Sequence, residues 1–188
     1  MSGIIALYKH ANQVDPQLLR RMISLLAHRG PDRQEFWFQG QIGLGACLLR
    51  TTPESQFEKS ITSSPCGKLK IVWDGRIDNR EELISSLPNG AGLFNSPDPF
   101  LILQAYLEWD INCLTKILGD FAFTLWDEGK QKLFAARDRI GIKPFYYTWN
   151  GRNFFMSSEA KPLFEALEIS PEPDDEMLFA FLAYRNFG

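Results

Sequence analysis

Apolar residues along the chain fall into short runs separated by stretches rich in Gly, Pro, Asn and Asp. Ile4 to Tyr8 is a continuous apolar run, the pattern of a strand buried on both faces. Asp15-Pro16 predicts a helix start, with Asp as N-cap and Pro at the first helical position. Leu18, Leu19, Met22, Ile23, Leu25 and Leu26 give that helix one apolar face, and Gly30-Pro31 would stop it. Glu35 to Phe38 and Ile42 to Leu49 read as two strands joined across Gln39-Gly40-Gln41. Thr51 to Gly67 reads as a long polar loop, and Leu69 to Trp73 as a strand. Asn79 is placed to cap a helix over Arg80 to Leu87, ending at Pro88-Asn89-Gly90. Ala91 to Pro97 is a further loop. Asp98-Pro99 repeats the Asp-Pro start before a helix over Phe100 to Trp109, and Ile111 to Leu118 continues helically up to Gly119.

The second half is richer in strands. Phe121 to Trp126 and Lys132 to Arg137 flank a turn, and Phe145 to Trp149 and Asn153 to Ser157 flank Asn150-Gly151, a strong hairpin signal. Helices over Ser158 to Leu167 and Asp174 to Tyr184 follow. Hairpins with segregated helices argue an α+β fold with mostly antiparallel sheets. Pro171-Glu172-Pro173 reads as a linker, and the apolar stretch from Met177 to Tyr184 could dock on this domain or begin another. The second alternative is preferred, so residues 1–170 are read as a domain and 171–188 as a linker plus the first helix toward a missing domain.

Composition narrows the classes. A chain of 188 residues suits one domain with a core of its own. With 20 Lys+Arg against 23 Asp+Glu, a net charge of -3 argues against a basic nucleic-acid binder. The absence of a long apolar run argues against a membrane span, and an N-terminus without a charged segment argues against a signal peptide. Three widely spaced cysteines form neither a disulfide framework nor a zinc pattern, so no metal is expected and the cytoplasm is the expected location.

Six segments carry a more specific signal: Met1-Ser2-Gly3-Ile4, His28 to Asp32, Asp74 to Asn79, Gly119 to Phe123, Ala136 to Tyr147, and Ser158 to Lys161. In this order and spacing they resemble the N-terminal glutaminase domain of asparagine synthetase, a class II glutamine amidotransferase. Thr51 to Ser55 and Gly75 to Leu83 are closest in wording to asparagine-synthetase-like proteins of natural-product pathways, of the β-lactam synthetase and lasso-peptide cyclase type. The resemblance implies an N-terminal-nucleophile (Ntn) hydrolase-like αββα four-layer sandwich. It implies a C-terminal synthetase domain of the same parent as partner, a homodimer in some members, and no nucleic acid or membrane. No cofactor is expected in this chain, because the family's ATP-binding Ser-Gly-Gly-x-Asp-Ser loop is absent from it. ATP and magnesium are expected in the missing domain.

The resemblance also assigns site positions. The family nucleophile is a Cys after the initiator Met, whose own α-amine acts as base; here the residue is Ser2, a poorer nucleophile. The oxyanion is held by an Asn amide beside a Gly, here Asp74 and Gly75, and an ionised Asp74 has no proton to donate. The substrate carboxylate is clamped by an Arg where this chain has Leu48, with Arg50 a weak substitute two residues on. The substrate amine is held by a Glu, here Arg76, and an Asp, retained as Asp98. With four of these positions changed, glutamine hydrolysis is expected to be lost. Arg76 is expected to pair with Asp74 and Asp98 and so fill the former pocket.

Simpler roles suit the remaining candidates. His28 is expected in a structural network with Arg29 and Asp32. Cys47 and Cys113 read as buried small hydrophobes rather than nucleophiles. Gly43-Leu44-Gly45 lacks the third Gly of a nucleotide loop, and Asp138, Arg139 and Lys143 read as loop organisers. Three functions stay open: a scaffold for an ATP-dependent amide-forming domain, a working amidotransferase using Ser2 to supply ammonia for asparagine synthesis, and a module binding glutamine or another small molecule.

Overall fold

The computed structural model describes residues 2–50, 59–88 and 90–184. The chain runs β1 (Gly3–Lys9), α1 (Pro16–Ser24), β2 (Arg33–Gln39), β3 (Ile42–Leu48), β4 (Thr62–Ser63), β5 (Leu69–Ile77), α2 (Arg80–Ser86), α3 (Asp98–Trp109), β6 (Gly119–Asp127), β7 (Lys132–Arg137), β8 (Tyr146–Trp149), β9 (Asn153–Ser157), α4 (Ala160–Leu167) and α5 (Asp175–Tyr184). Two 3-10 turns, Gly90–Leu93 and Asp110–Lys116, flank α3. One sheet has the order β2-β3-β1-β9-β8 and the other β4-β5-β6-β7. Every strand pairing is antiparallel.

The period-two alternation of side chains divides the core into three slabs. Ile4 and Ala6 of β1 join Leu44 of β3, Val72 of β5, Ala122 of β6 and Met156 of β9 between the two sheets. Ile5 and Leu7, one residue out of phase, meet Leu19 and Met22 of α1 and Leu163 of α4 on the outer face. On the outer face of the other sheet, Trp73 and Phe123 meet Leu83 of α2 and Leu101 of α3. Helix, sheet, sheet, helix is therefore the layer order. β1 reads as an unbroken apolar run because both its faces are buried.

Several elements differ from the expected ones. α1 stops at Ser24 rather than at Gly30, and a Cβ built on Gly30 would meet the Cys47 carbonyl carbon at 2.2 Å. Gly30 is needed for that close approach to β3. The Gly43 and Gly45 pair also serves packing: a Cβ on Gly45 would lie 2.5 Å from Ile23 Cδ1, so the glycines let α1 settle on β3. β5 runs on to Ile77, which puts Asp74, Gly75 and Arg76 inside a strand. The helical segment after α3 is a 3-10 turn. Asp15 does cap α1, accepting from Gln17 N at 2.9 Å. Neither Asn79 nor Asp98 caps its helix that way: Asn79 Oδ1 accepts from Leu118 N, and Asp98 serves the site below. The first part of the long polar loop, with Thr51 to Ser55, lies outside the described residues; its second part contains β4.

Candidate functional site

β1 delivers Ser2 to the end of the five-stranded sheet, where it is 7% exposed. All three of its polar groups are engaged. Ser2 N donates to Asp74 Oδ1 at 3.1 Å, Ser2 Oγ accepts from Leu49 N at 3.1 Å, and the Ser2 carbonyl accepts from Arg29 Nε at 3.0 Å. Asp74 reaches this point from β5, across the inter-sheet space, and is 4% exposed. A buried carboxylate needs a counter-charge, and two cations supply it. Lys143 Nζ donates to Asp74 Oδ1 at 3.1 Å, and Arg29 Nη2 stands 3.6 Å from Asp74 Oδ2. That last pair is an ion pair without a hydrogen bond, since both Asp74 Oδ2 and Arg29 Nη2 lack a hydrogen-bond partner.

The network extends outward. Arg29 Nη1 donates to Glu159 Oε1 at 3.2 Å, and His28 Nε2 meets the same oxygen at 2.9 Å. Burial pushes the Glu159 carboxyl up, but bonds to His28 and Arg29 outweigh it and hold the group below its ordinary value. Lys143 is fixed by its own loop. Asp138 accepts from Ile142 N at 2.8 Å and Lys143 N at 3.0 Å. Burial opposes ionisation of Asp138, yet these backbone donors keep its carboxyl below the ordinary range.

The expected pairing of Arg76 with Asp74 and Asp98 is corrected. Arg76 Nε donates to Asp78 Oδ1 at 2.5 Å, and its Nη2 is 4.0 Å from Asp120 Oδ2. It projects from the same face of β5 as Asp74 but two residues nearer the strand end, so its side chain is 60% exposed. Asp98 binds the backbone instead: Oδ2 accepts from Ile77 N at 2.9 Å, and Oδ1 accepts from Arg80 Nη1. Arg80 also donates to the carbonyl oxygens of Phe94 and Ser96, tying α2 to the approach of α3. Leu48 is buried in β3. Arg50 lies past the strand with its backbone N on Asp32 Oδ2 at 2.7 Å and its side chain exposed. Asp32 therefore organises Arg50 rather than the expected network with His28 and Arg29. Gly75 sits beside Phe121 in the β5–β6 ladder.

Of the expected positions, then, Ser2 and Asp74 are in direct contact, while Arg76 and Asp98 occupy a separate rim. Arg29, Lys143 and Glu159 were not among the expected site residues. The signal for them is the charge at position 74 itself, since a carboxylate on an apolar strand demands cations from elsewhere. Cys47 offers no substitute nucleophile: burial raises its thiol to about 11, and its Sγ donates to Ile23 O at 3.5 Å. Among the described residues no group of three or more His, Cys, Asp or Glu could hold a metal ion, and no helix is long and apolar enough to cross a membrane.

Residues 1–187 match the glutamine amidotransferase domain family. Asparagine synthetase [glutamine-hydrolyzing] 3 of Bacillus subtilis is 32% identical over 162 residues, covering 85% of this chain and 26% of that protein. A protein named amidase chry2, from Gibberella zeae, is 31% identical over 156 residues, covering 82% of this chain and 23% of its own. The chain thus spans about a quarter of the length of these curated relatives. A solved glutamine phosphoribosylpyrophosphate amidotransferase from B. subtilis superposes with a TM-score of 0.64 at 17% identity, over 86% of this chain and 42% of that one. That likeness identifies the αββα sandwich as the Ntn-type fold.

Proposed function

Because the chain belongs to the glutamine amidotransferase domain family, we propose that it is the glutaminase-type part of an asparagine-synthetase-like protein in which glutamine hydrolysis has been lost. The buried carboxylate of Asp74 carries this reading. Glutamine hydrolysis needs a hydrogen-bond donor aimed at the developing oxyanion, and losing one such donor costs about 10²–10³ in rate. Asp74 presents acceptors, and its charge is held in place by Lys143 and Arg29. The nucleophile position is equally occupied. Ser2 N donates to Asp74 and Ser2 Oγ accepts from Leu49 N, and a hydroxyl is a far poorer nucleophile than a thiolate unless strongly activated.

In this reading the domain serves as a scaffold for an ATP-dependent amide-forming domain of the same parent, where ATP and magnesium would bind. Such a domain could join a carboxylate to an amine already in its substrate and would need no ammonia. The exposed Met177, Phe179 and Leu182 of α5 are the kind of surface that a following domain would cover.

The test is ammonia release from glutamine by the full-length protein. Release is expected at the uncatalysed rate; a clear excess would overturn the proposal. In an S2C/L48R/R76E background, adding Asp74→Asn is expected to raise release about 10²-fold, the worth of one oxyanion donor.

A further inference from the structure

A second polar feature lies in the same sheet, two strands away from Asp74 and on the far side of β6. Ala122 of β6 pairs with Asp74 on one side and with Arg137, the last residue of β7, on the other. A cavity of about 420 Å³ opens here between the 3-10 turn after α3, the start of β6 and the segment leaving β7. Its lining is mostly apolar, including Leu114, Ile117 and Phe121. Leu118 and Ile140, also in the lining, are 52% and 81% exposed.

Four charged residues line it: Arg137, Arg139, Asp120 and Asp138. The two carboxylates are already engaged. Asp138 accepts from Ile142 N and Lys143 N, and Asp120 stands 4.0 Å from Arg76. Both arginines are exposed, and among the described residues neither side chain has a hydrogen bond or ion pair. A Cβ built on Gly141, whose φ is +72°, would lie 3.1 Å from Arg137 Cζ, so the guanidinium rests against this turn. The turn beneath is pinned, with Asp138 N donating to Phe121 O at 2.7 Å and Gly141 N to Asp138 O at 3.2 Å.

Two exposed guanidinium groups without a protein partner among the described residues, at the mouth of an apolar cavity, fit a ligand with one anionic end and one apolar end. Guanidinium forks match carboxylate and phosphate oxygens, and an apolar pocket with a few fixed polar groups is the usual form of a small-molecule site. We propose that this cavity binds a carboxylate or phosphate monoester carried on an apolar body, whether or not glutamine is hydrolysed next door.

Calorimetric titration of the full-length protein with octanoate, octyl phosphate and octanol tests this. At least one of the two anions should bind tenfold or more tighter than octanol, and the better of them identifies the headgroup. The R137Q/R139Q variant should lose that preference with an unchanged circular dichroism spectrum. Ile140→Ser should weaken all three probes by a similar factor while keeping the preference. No binding by either anion, octanol binding equally well, or a preference that survives in R137Q/R139Q would overturn the assignment.

Discussion

The two halves of the candidate site both hold ion pairs, in very different settings. In the inner half, Asp74 is buried between Ser2 N, Lys143 and Arg29. In the outer half, Arg76 pairs with Asp78 and approaches Asp120 in open solvent. A carboxylate placed inside has to acquire partners from three distant segments, and each partner is fixed in turn. A guanidinium placed outside needs only whichever acid lies nearest on the strand. Burial, more than charge, decides which charged residue organises the surrounding site and which merely decorates its rim.

The contrast can be broken most forcefully at Lys143. Lys143→Met leaves Asp74 with a single cation 3.6 Å away. Stranding a buried charge costs about 3–5 kcal/mol, and the remaining Arg29 puts the expected loss near ~3 kcal/mol. Urea unfolding with an unchanged m-value reads it; a loss below about 1 kcal/mol would place the inner half on the same footing as the rim.

A smaller effect is expected at Glu159, on the edge of the network. Its folded carboxyl is held below the ordinary value of 4.5. A depressed carboxyl contributes stability that is present above the unfolded value and lost as pH falls through the folded one. Glu159→Gln should therefore flatten the acid limb of the melting-temperature profile below about pH 4.5 and cost less at pH 3 than at pH 7. At the rim, Arg76→Met should leave the melting temperature unchanged within error, and a clear drop would show that Arg76 does more than pair in solvent.

The smallest effect involves no stability at all. The same contrast of burial and exposure applies to the cysteines. Burial raises Cys47 and Cys113 to about 11, whereas a hydrogen bond with Ser64 lowers the exposed Cys66 thiol. Iodoacetamide at pH 8 should label Cys66 alone in the native chain, with peptide mass mapping as the readout.

Much of this molecule was legible in its sequence. Local signals were sufficient where the cause was local: the Asp15-Pro16 start of α1, the Asn150-Gly151 hairpin, and the double-faced apolar run of β1. The meeting of Ser2 and Asp74 agrees with the resemblance, which places both positions at one site. What could not be read was partnership. Arg76 was expected to turn inward, but strand register gives it Asp120 as a neighbour and exposure gives it Asp78. Lys143 and Glu159 lie 69 and 85 positions from Asp74, and nothing local connects them. Register, strand length and the end of α1 at Ser24 depend on how the layers close, which no window of sequence contains.

The position of β1 has a consequence for how this chain is made. It is the middle strand of its sheet, flanked by β3 on one side and β9 on the other. Ile4 N donates to Ser158 Oγ, 154 residues later in the chain. At ribosomal speeds of ~5–20 residues per second, β1 waits roughly 8–30 s for its second neighbour to be synthesised. During that interval an apolar strand has one open edge, the feature most prone to pair with the wrong chain. β1 therefore stays unenclosed until β9 arrives, although it is made about 150 residues earlier.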